Sequence, residues 1–200
     1  PGFIGDRIGV AALMVGLHKA LELGLTPEEA DAVAGRPMGF PGTGIFGLFD
    51  LIGIDVIDLI CTNLTGQLAV DDPIRPYLEM PAGVKAMLAE GLTGRKGPGG
   101  FYRQQKIDGK RVKESYDLAA GGYRPFTGTE LVSAGSRRLD ELLAHDDRGG
   151  RYARELLSVT LSYSAWLLPE IADDIQAVDC AMREGYSWKR GPFELIDQIG

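Results

Sequence analysis

Two histidines and two cysteines are all that this chain offers a transition metal or a disulfide framework. Cys61 and Cys180 lie far apart, in no metal-type spacing, and only His18 and His145 could assist them. A metal centre is therefore not expected, and both thiols, in apolar helical contexts, read as reduced core cysteines of a cytoplasmic protein. Long apolar runs are also missing. The most apolar stretch, Ile8 to Leu25, carries His18, Lys19 and Glu22, so it reads as a buried helix and not as a membrane span. No charged-then-apolar leader precedes a cleavage site. Positive charge is in deficit as well: the formal net charge of −7 argues against a nucleic-acid surface. The one basic cluster, Arg103 to Lys113, surrounds the turn signal Asp108-Gly109. A solvated hairpin is the expected state, with contact to a phosphate-bearing ligand as the alternative.

What is present is helix. Residues 4–24 are apolar on most faces, which places that helix in the middle of a core. Thr26-Pro27-Glu28-Glu29 is a capping box with proline at the first helical position, starting a helix to about Ala34. Arg36-Pro37 stops it, and Gly39 to Gly44 is a loop. A short helix follows through Leu51, broken at Gly53, with Asp55 as a candidate cap for a helix over 56–65. Another is expected over 81–90. Alternation over 101–116 favours a hairpin, with Gly121-Gly122 and Pro125 as linker. Helices are expected again over 129–145, 150–168 and 173–184, the last with Asp173 as cap.

One phrase occurs twice. Residues 46–53 read Phe-Gly-Leu-Phe-Asp-Leu-Ile-Gly, and residues 193–200 read Phe-Glu-Leu-Ile-Asp-Gln-Ile-Gly. Asp31 precedes Gly53 by 22 residues and Asp179 precedes Gly200 by 21. An aspartate recurring within an apolar run points to a duplicated unit. The second copy stops at Gly200 and the chain begins without methionine, so a piece of a longer protein is expected. Asp50 and Asp197, the repeated acids, read as structural caps or pairs and not as catalysts.

Two glycine motifs are refused. Gly42-Thr43-Gly44-Ile45-Phe46-Gly47 fits Gly-x-Gly-x-x-Gly, but no β-strand precedes it and no crossover-length helix follows, so it reads as a loop. Gly97-Pro98-Gly99-Gly100 lacks the Gly-Lys-Ser/Thr ending of a P-loop and reads as a tight turn at positive φ.

Three phrases, in order and spacing, carry a resemblance. They are Pro1-Gly2-Phe3-Ile4-Gly5-Asp6-Arg7; Gly35-Arg36-Pro37-Met38-Gly39 with Phe46 to Asp55; and Gly94-Arg95-Lys96-Gly97-Pro98-Gly99-Gly100-Phe101-Tyr102. Together they resemble the C-terminal helical domain of L-3-hydroxyacyl-CoA dehydrogenases, the NAD-dependent enzymes of fatty-acid β-oxidation. The resemblance covers 1–102 well, and 150–200 looks like the degenerate second copy of longer family members. It implies an all-α helical bundle of the 6-phosphogluconate dehydrogenase C-terminal-domain-like type. The expected organisation is one domain over 1–102, a hairpin linker over 103–125 and a truncated copy over 126–200.

The resemblance also implies that NAD and the catalytic His–Glu pair belong to a Rossmann domain absent from this chain. The partners implied are that domain, an acyl-CoA substrate and a second, homodimeric subunit; the piece alone is expected to be inactive. His18 and His145 lie outside the family's catalytic context. The family's Pro-Gly-Phe-x-x-Asn-Arg phrase has Asp6 where an Asn helps hold the substrate oxygen. An amide can donate to a developing keto oxygen, whereas a carboxylate only accepts. Asp6 would then hold the hydroxyl or orient an imidazolium; the alternative is a first-turn acid favoured by the helix dipole and paired with Arg7. Met38, Phe46 and Phe49 fall near the loop that lines the acyl chain in the family, with core packing as the default for each. A non-catalytic helical docking module, or another 3-hydroxyacid dehydrogenase relative, is the competing reading.

Overall fold

A computed structural model describes residues 2–200; Pro1, which opens the first phrase above, lies outside the described residues. Helix α1 (Ile4–Glu22) is buried continuously from Arg7 to Leu17. It is apolar nearly all round because it is covered nearly all round: α7 (Arg148–Ile171) and α8 (Ile175–Tyr186) both pack along it. Two of its glycines permit close approach by neighbouring elements. A Cβ at Gly9 would fall inside the Tyr186 ring of α8, and one at Gly16 would lie 2.9 Å from Ile45. Tyr152 of α7 donates to the Gly16 carbonyl at 3.0 Å, satisfying a buried phenol.

The capping box forms as written. Thr26 Oγ1 accepts from Glu29 N, and Glu29 Oε2 accepts from Thr26 N at 2.9 Å, opening α2 (Pro27–Val33). A 3₁₀ turn over Arg36–Met38 ends at Gly39 with φ 78°, leading to α3 (Phe46–Ile52) and α4 (Ile54–Gln67). Asp55 does not cap α4. Gly53 holds the cap position, and Asp55 in the first turn is drawn to Lys96 at 2.8 Å. Helix α5 (Ala82–Ala89) follows.

Strands β1 (Tyr102–Ile107) and β2 (Lys110–Asp117) make the hairpin, with Asp108 and Gly109 both at positive φ as a type I′ turn demands. The expected linker is instead a third strand, β3 (Gly122–Pro125), giving the order β1-β2-β3. Asp117 Oδ1 accepts from Ala119 and Ala120 N–H and closes the turn, and Tyr123 meets Tyr116 edge-on at 5.1 Å.

The single helix expected over 129–145 does not form. A 3₁₀ turn at Val132–Gly135 and the short α6 (Leu139–Ala144) stand in its place. The reason is competition for backbone donors: Asp147 Oδ2 takes the Ser133 N–H at 3.0 Å, in a segment rich in Ser and Gly. Asp147 also caps α7 through Gly150 N. The cap of α8 is Asp174 and not Asp173, because its Oδ1 reaches Ala177 N, three residues on, at 2.7 Å, as an N-cap requires. Helix α9 (Pro192–Ile199) closes the described chain.

The repeat has a physical basis. Asp31 Oδ1 accepts from Phe46 N at 2.7 Å, and Asp179 Oδ1 accepts from Phe193 N at 2.8 Å. Each aspartate thus caps, from the preceding α-helix, the N-terminus of the helix bearing the repeated phrase. In both, a glycine two residues before the phenylalanine lies against the acid; a Cβ at Gly44 would meet Asp31 at 2.5 Å, and one at Gly191 would overlap Asp179. The second pair of acids diverges. Asp50 is buried, whereas Asp197 is exposed.

Candidate functional site

Asp6 sits exposed in the first turn of α1, the end of a helix where a negative charge is favoured. It does not pair with Arg7. Arg7 turns inward, donating to Asp72 Oδ2 at 2.9 Å, to Glu170 Oε1 at 2.9 Å and to the Tyr163 hydroxyl. The Asp6 charge acts instead on Tyr186, whose ring packs against the preceding residue, 3.4 Å from where a Gly5 Cβ would be. Burial, aided by the Asp6 charge, pushes the Tyr186 phenol up to about 12, so it remains a neutral donor at any physiological pH. No sequence signal places Tyr186 here, since it arrives from a helix near the other end of the chain.

Behind this surface the closing phrase folds onto α3, the helix of the second phrase, while the first phrase is anchored elsewhere through Arg7. Ile45, at its start, packs into the notch left by Gly16 of α1. Asp31 bonds Phe46 N and Gly47 N, and accepts from the Tyr102 hydroxyl at 2.8 Å. Asp50, within α3, accepts from Phe101 N and Tyr102 N, both at 2.8 Å. Burial raises Asp31 to about 7 and Asp50 to about 6, against the opposing pull of these donors.

The closing glycines serve approach and not turn conformation. Gly97, Gly99 and Gly100 do not adopt positive φ; Gly94 does. A Cβ at Gly100 would overlap Asp50 Oδ1, and one at Gly94 would meet Asp50 O at 2.5 Å. The glycine-rich phrase therefore wraps the buried aspartate.

Phe46 and Phe49 are fully buried, their rings edge-on to Phe101 at 4.8 and 5.7 Å. Met38 is 1% exposed, yet it contributes to the wall of a cavity of about 470 Å³. His18 Nε2 is engaged with the Glu79 carbonyl at 3.0 Å, and its ring lies edge-on to Tyr77. Cys61 is buried, and burial pushes its thiol up to about 12. Cys180 departs from the expectation, because it lies exposed on α8. Among the described residues no group of His, Cys, Asp and Glu could hold a metal ion, and no helix is long and apolar enough to cross a membrane.

The residues present do not fit a dinucleotide. The Gly-x-Gly-x-x-Gly segment follows a 3₁₀ turn and not a strand, and the N–H groups of Phe46 and Gly47 that would face a pyrophosphate are already taken by Asp31.

The family model described as "3-hydroxyacyl-CoA dehydrogenase, C-terminal domain" matches residues 2–104. A Rickettsia felis protein named for the fatty acid oxidation complex trifunctional enzyme is 39% identical over 98% of this chain, which spans 27% of that protein. A Bacillus subtilis protein named as a 3-hydroxyacyl-CoA dehydrogenase is 34% identical over the full chain, which spans 26% of it. The crystal structure of 3-hydroxybutyryl-CoA dehydrogenase from Escherichia coli superposes on the whole chain with a TM-score of 0.65 at 18% identity, the chain covering 53% of it. That likeness shows the helical fold alone. The family match over residues 2–104 spans the three phrases, and the chain belongs to the 3-hydroxyacyl-CoA dehydrogenase family, those residues matching its C-terminal domain.

Proposed function

We propose that this chain supplies the substrate-side helices of an NAD-dependent 3-hydroxyacyl-CoA dehydrogenase of fatty-acid β-oxidation, which oxidises the 3-hydroxyl to a ketone. The observation that carries this reading is the position of Asp6, exposed in the first turn of α1 beside Tyr186 and within the span of the family match. On this reading NAD accepts the hydride and is held by a separate Rossmann domain. Asp6 accepts a hydrogen bond from the substrate hydroxyl or from an imidazolium on that domain, a role an ionised carboxylate can fill. Tyr186 supplies the donor that a carboxylate lacks, its phenol remaining protonated.

On the same reading residues 126–200 are a second, truncated copy of the unit in 1–102. That copy keeps the aspartate cap of the repeated helix and lacks the Arg36–Gly39 turn. Acyl-CoA and a second subunit complete the proposed partners. The face of α1 is already covered by α7 and α8, so a partner subunit would meet another surface.

Assay of NADH formation with 3-hydroxyacyl-CoA tests the reading. The parent protein should turn over, this chain alone should not, and Asp6→Ala in the parent should lower kcat about 10–100-fold with an unchanged thermal midpoint. Wild-type turnover in Asp6→Ala removes Asp6 from the mechanism. A parent inert toward every acyl length favours the docking-module reading.

A further inference from the structure

Two adjoining cavities share Arg36, Pro37 and Arg137 in their walls. The first, about 470 Å³, is closed by Arg138, Lys189 and Arg190; the second, about 520 Å³, by Ser136 and Asp31 among others. Such volumes suit a nucleotide-sized or smaller ligand. The cations come from three separate parts of the chain: the 3₁₀ turn after α2, the segment before α6, and the loop between α8 and α9.

In a chain of net charge −7, this concentration of positive charge is unexpected. Ion pairing does not account for it. Many cations elsewhere are paired, as Arg103 is with Glu114 and Arg124 with Glu28, but among the described residues Arg36, Arg137, Lys189 and Arg190 form no ion pair. Arg190 bonds the neutral Gln198 side chain, and the acid that feels its charge, Glu194, is itself paired with Arg183. The two acids in the walls are engaged: Asp140 by Arg138, and Asp31 by Phe46 N, Gly47 N and Tyr102. Like charges gathered this way repel unless an anion neutralises them.

The segments that carry them are fixed. Lys189 N donates to the Gly39 carbonyl at 2.7 Å, and Trp188 stacks on Phe40 at 4.2 Å, locking the Lys189 loop onto the Arg36 turn. A second observation is independent of charge. Ser136 is 6% exposed, and its Oγ is buried without a hydrogen-bond partner in the wall of the second cavity. An orphaned buried hydroxyl is costly, and a phosphate oxygen would satisfy it. Two planar guanidiniums beside a hydroxyl suit a phosphoryl group better than a carboxylate of the chain's own.

We propose that this cationic cleft binds a phosphorylated small molecule, one phosphate group held by Arg36, Arg137 and Ser136 and a second met by Lys189 and Arg190. The site stands whether or not the dehydrogenase reading holds. The phosphates would come from the nucleotide end of coenzyme A or from a free phosphorylated metabolite.

Calorimetric titration of the chain with inorganic pyrophosphate, with coenzyme A and with acetate as control tests this. Pyrophosphate should bind and acetate should not. Arg36→Ala/Arg137→Ala should weaken pyrophosphate at least tenfold, and Ser136→Ala about threefold, with circular dichroism unchanged. Lys106→Ala/Lys110→Ala on the exposed hairpin should leave binding unaltered. Coenzyme A weakened in parallel by the arginine pair identifies its phosphates as the ligand; pyrophosphate alone weakened supports a free metabolite. No pyrophosphate binding, or equal loss in the hairpin variant, overturns the proposal. Turnover by the parent protein reports separately on the dehydrogenase reading.

Discussion

Replacing Arg7 with Met should be among the most damaging single changes in this chain. The Arg7 and Asp72 side chains are 1% and 2% exposed and lie 2.9 Å apart, with the Tyr163 hydroxyl bridging them. Removing the guanidinium strands a carboxylate where water cannot reach it, a situation that costs about 3–5 kcal/mol. The Glu170 arm adds little, because that side chain is 48% exposed and such pairs contribute roughly 0–1 kcal/mol. For a chain of this size each kcal/mol lowers Tm by about 2–4 °C, so a fall of roughly 6–20 °C is expected. The companion variant is Arg7→Met/Asp72→Asn. The amide introduced there removes the stranded charge and still offers an Oδ1 to Ile74 N, which Asp72 now holds at 3.0 Å. Most of the loss should therefore be regained, giving a coupling energy of about 2 kcal/mol or more in a urea-unfolding cycle. A single variant within about 1 kcal/mol of wild type, or a double variant that is simply additive, refutes the account.

Gly94→Ala should cost about 2–5 kcal/mol, since it combines φ +103° with a Cβ 2.5 Å from Asp50 O; an unchanged urea midpoint would contradict the wrapping of Asp50. Stability should fall as pH rises from about 4 toward 7. Asp31 and Asp50, raised to about 7 and about 6, hold protons in the folded state that the unfolded chain has already lost. Urea midpoints at intervals across this window, in wild type and in Asp31→Asn, should show a gentler slope in the variant; equal slopes would remove Asp31 as the cause. Under native conditions a thiol reagent should modify exposed Cys180 promptly and buried Cys61 only on unfolding, and mass spectrometry of the labelled peptides distinguishes them.

Local chemistry was legible wherever a few neighbouring residues sufficed. The Thr26–Glu29 capping box and the Asp108-Gly109 turn form as their sequences imply, because each closes its hydrogen bonds within a span of a few residues. The failures lie where distant partners compete. Ser133 gives its N–H to Asp147, which breaks up the helix expected over 129–145, and Asp55 leaves the cap of α4 for Lys96, forty-one residues on. At the site, Asp6 was readable from its phrase, but Tyr186 beside it was not. The exposed Cys180 shows the same limit: an apolar neighbourhood in sequence does not say which side of a helix meets the core.

The repeat and most of the helices are written in neighbouring residues, since periodicity, caps and turns are properties of adjacent positions. Long-range packing decided what the repeated acids do. Asp31 and Asp179 each reach across some fifteen residues to cap a helix N-terminus, a bond no local pattern encodes. It decided the cationic cleft as well, whose arginines and lysine come from segments far apart in the chain and meet because Trp188 stacks on Phe40. Chain connectivity separates these groups, and packing of the two halves along α1 brings them together.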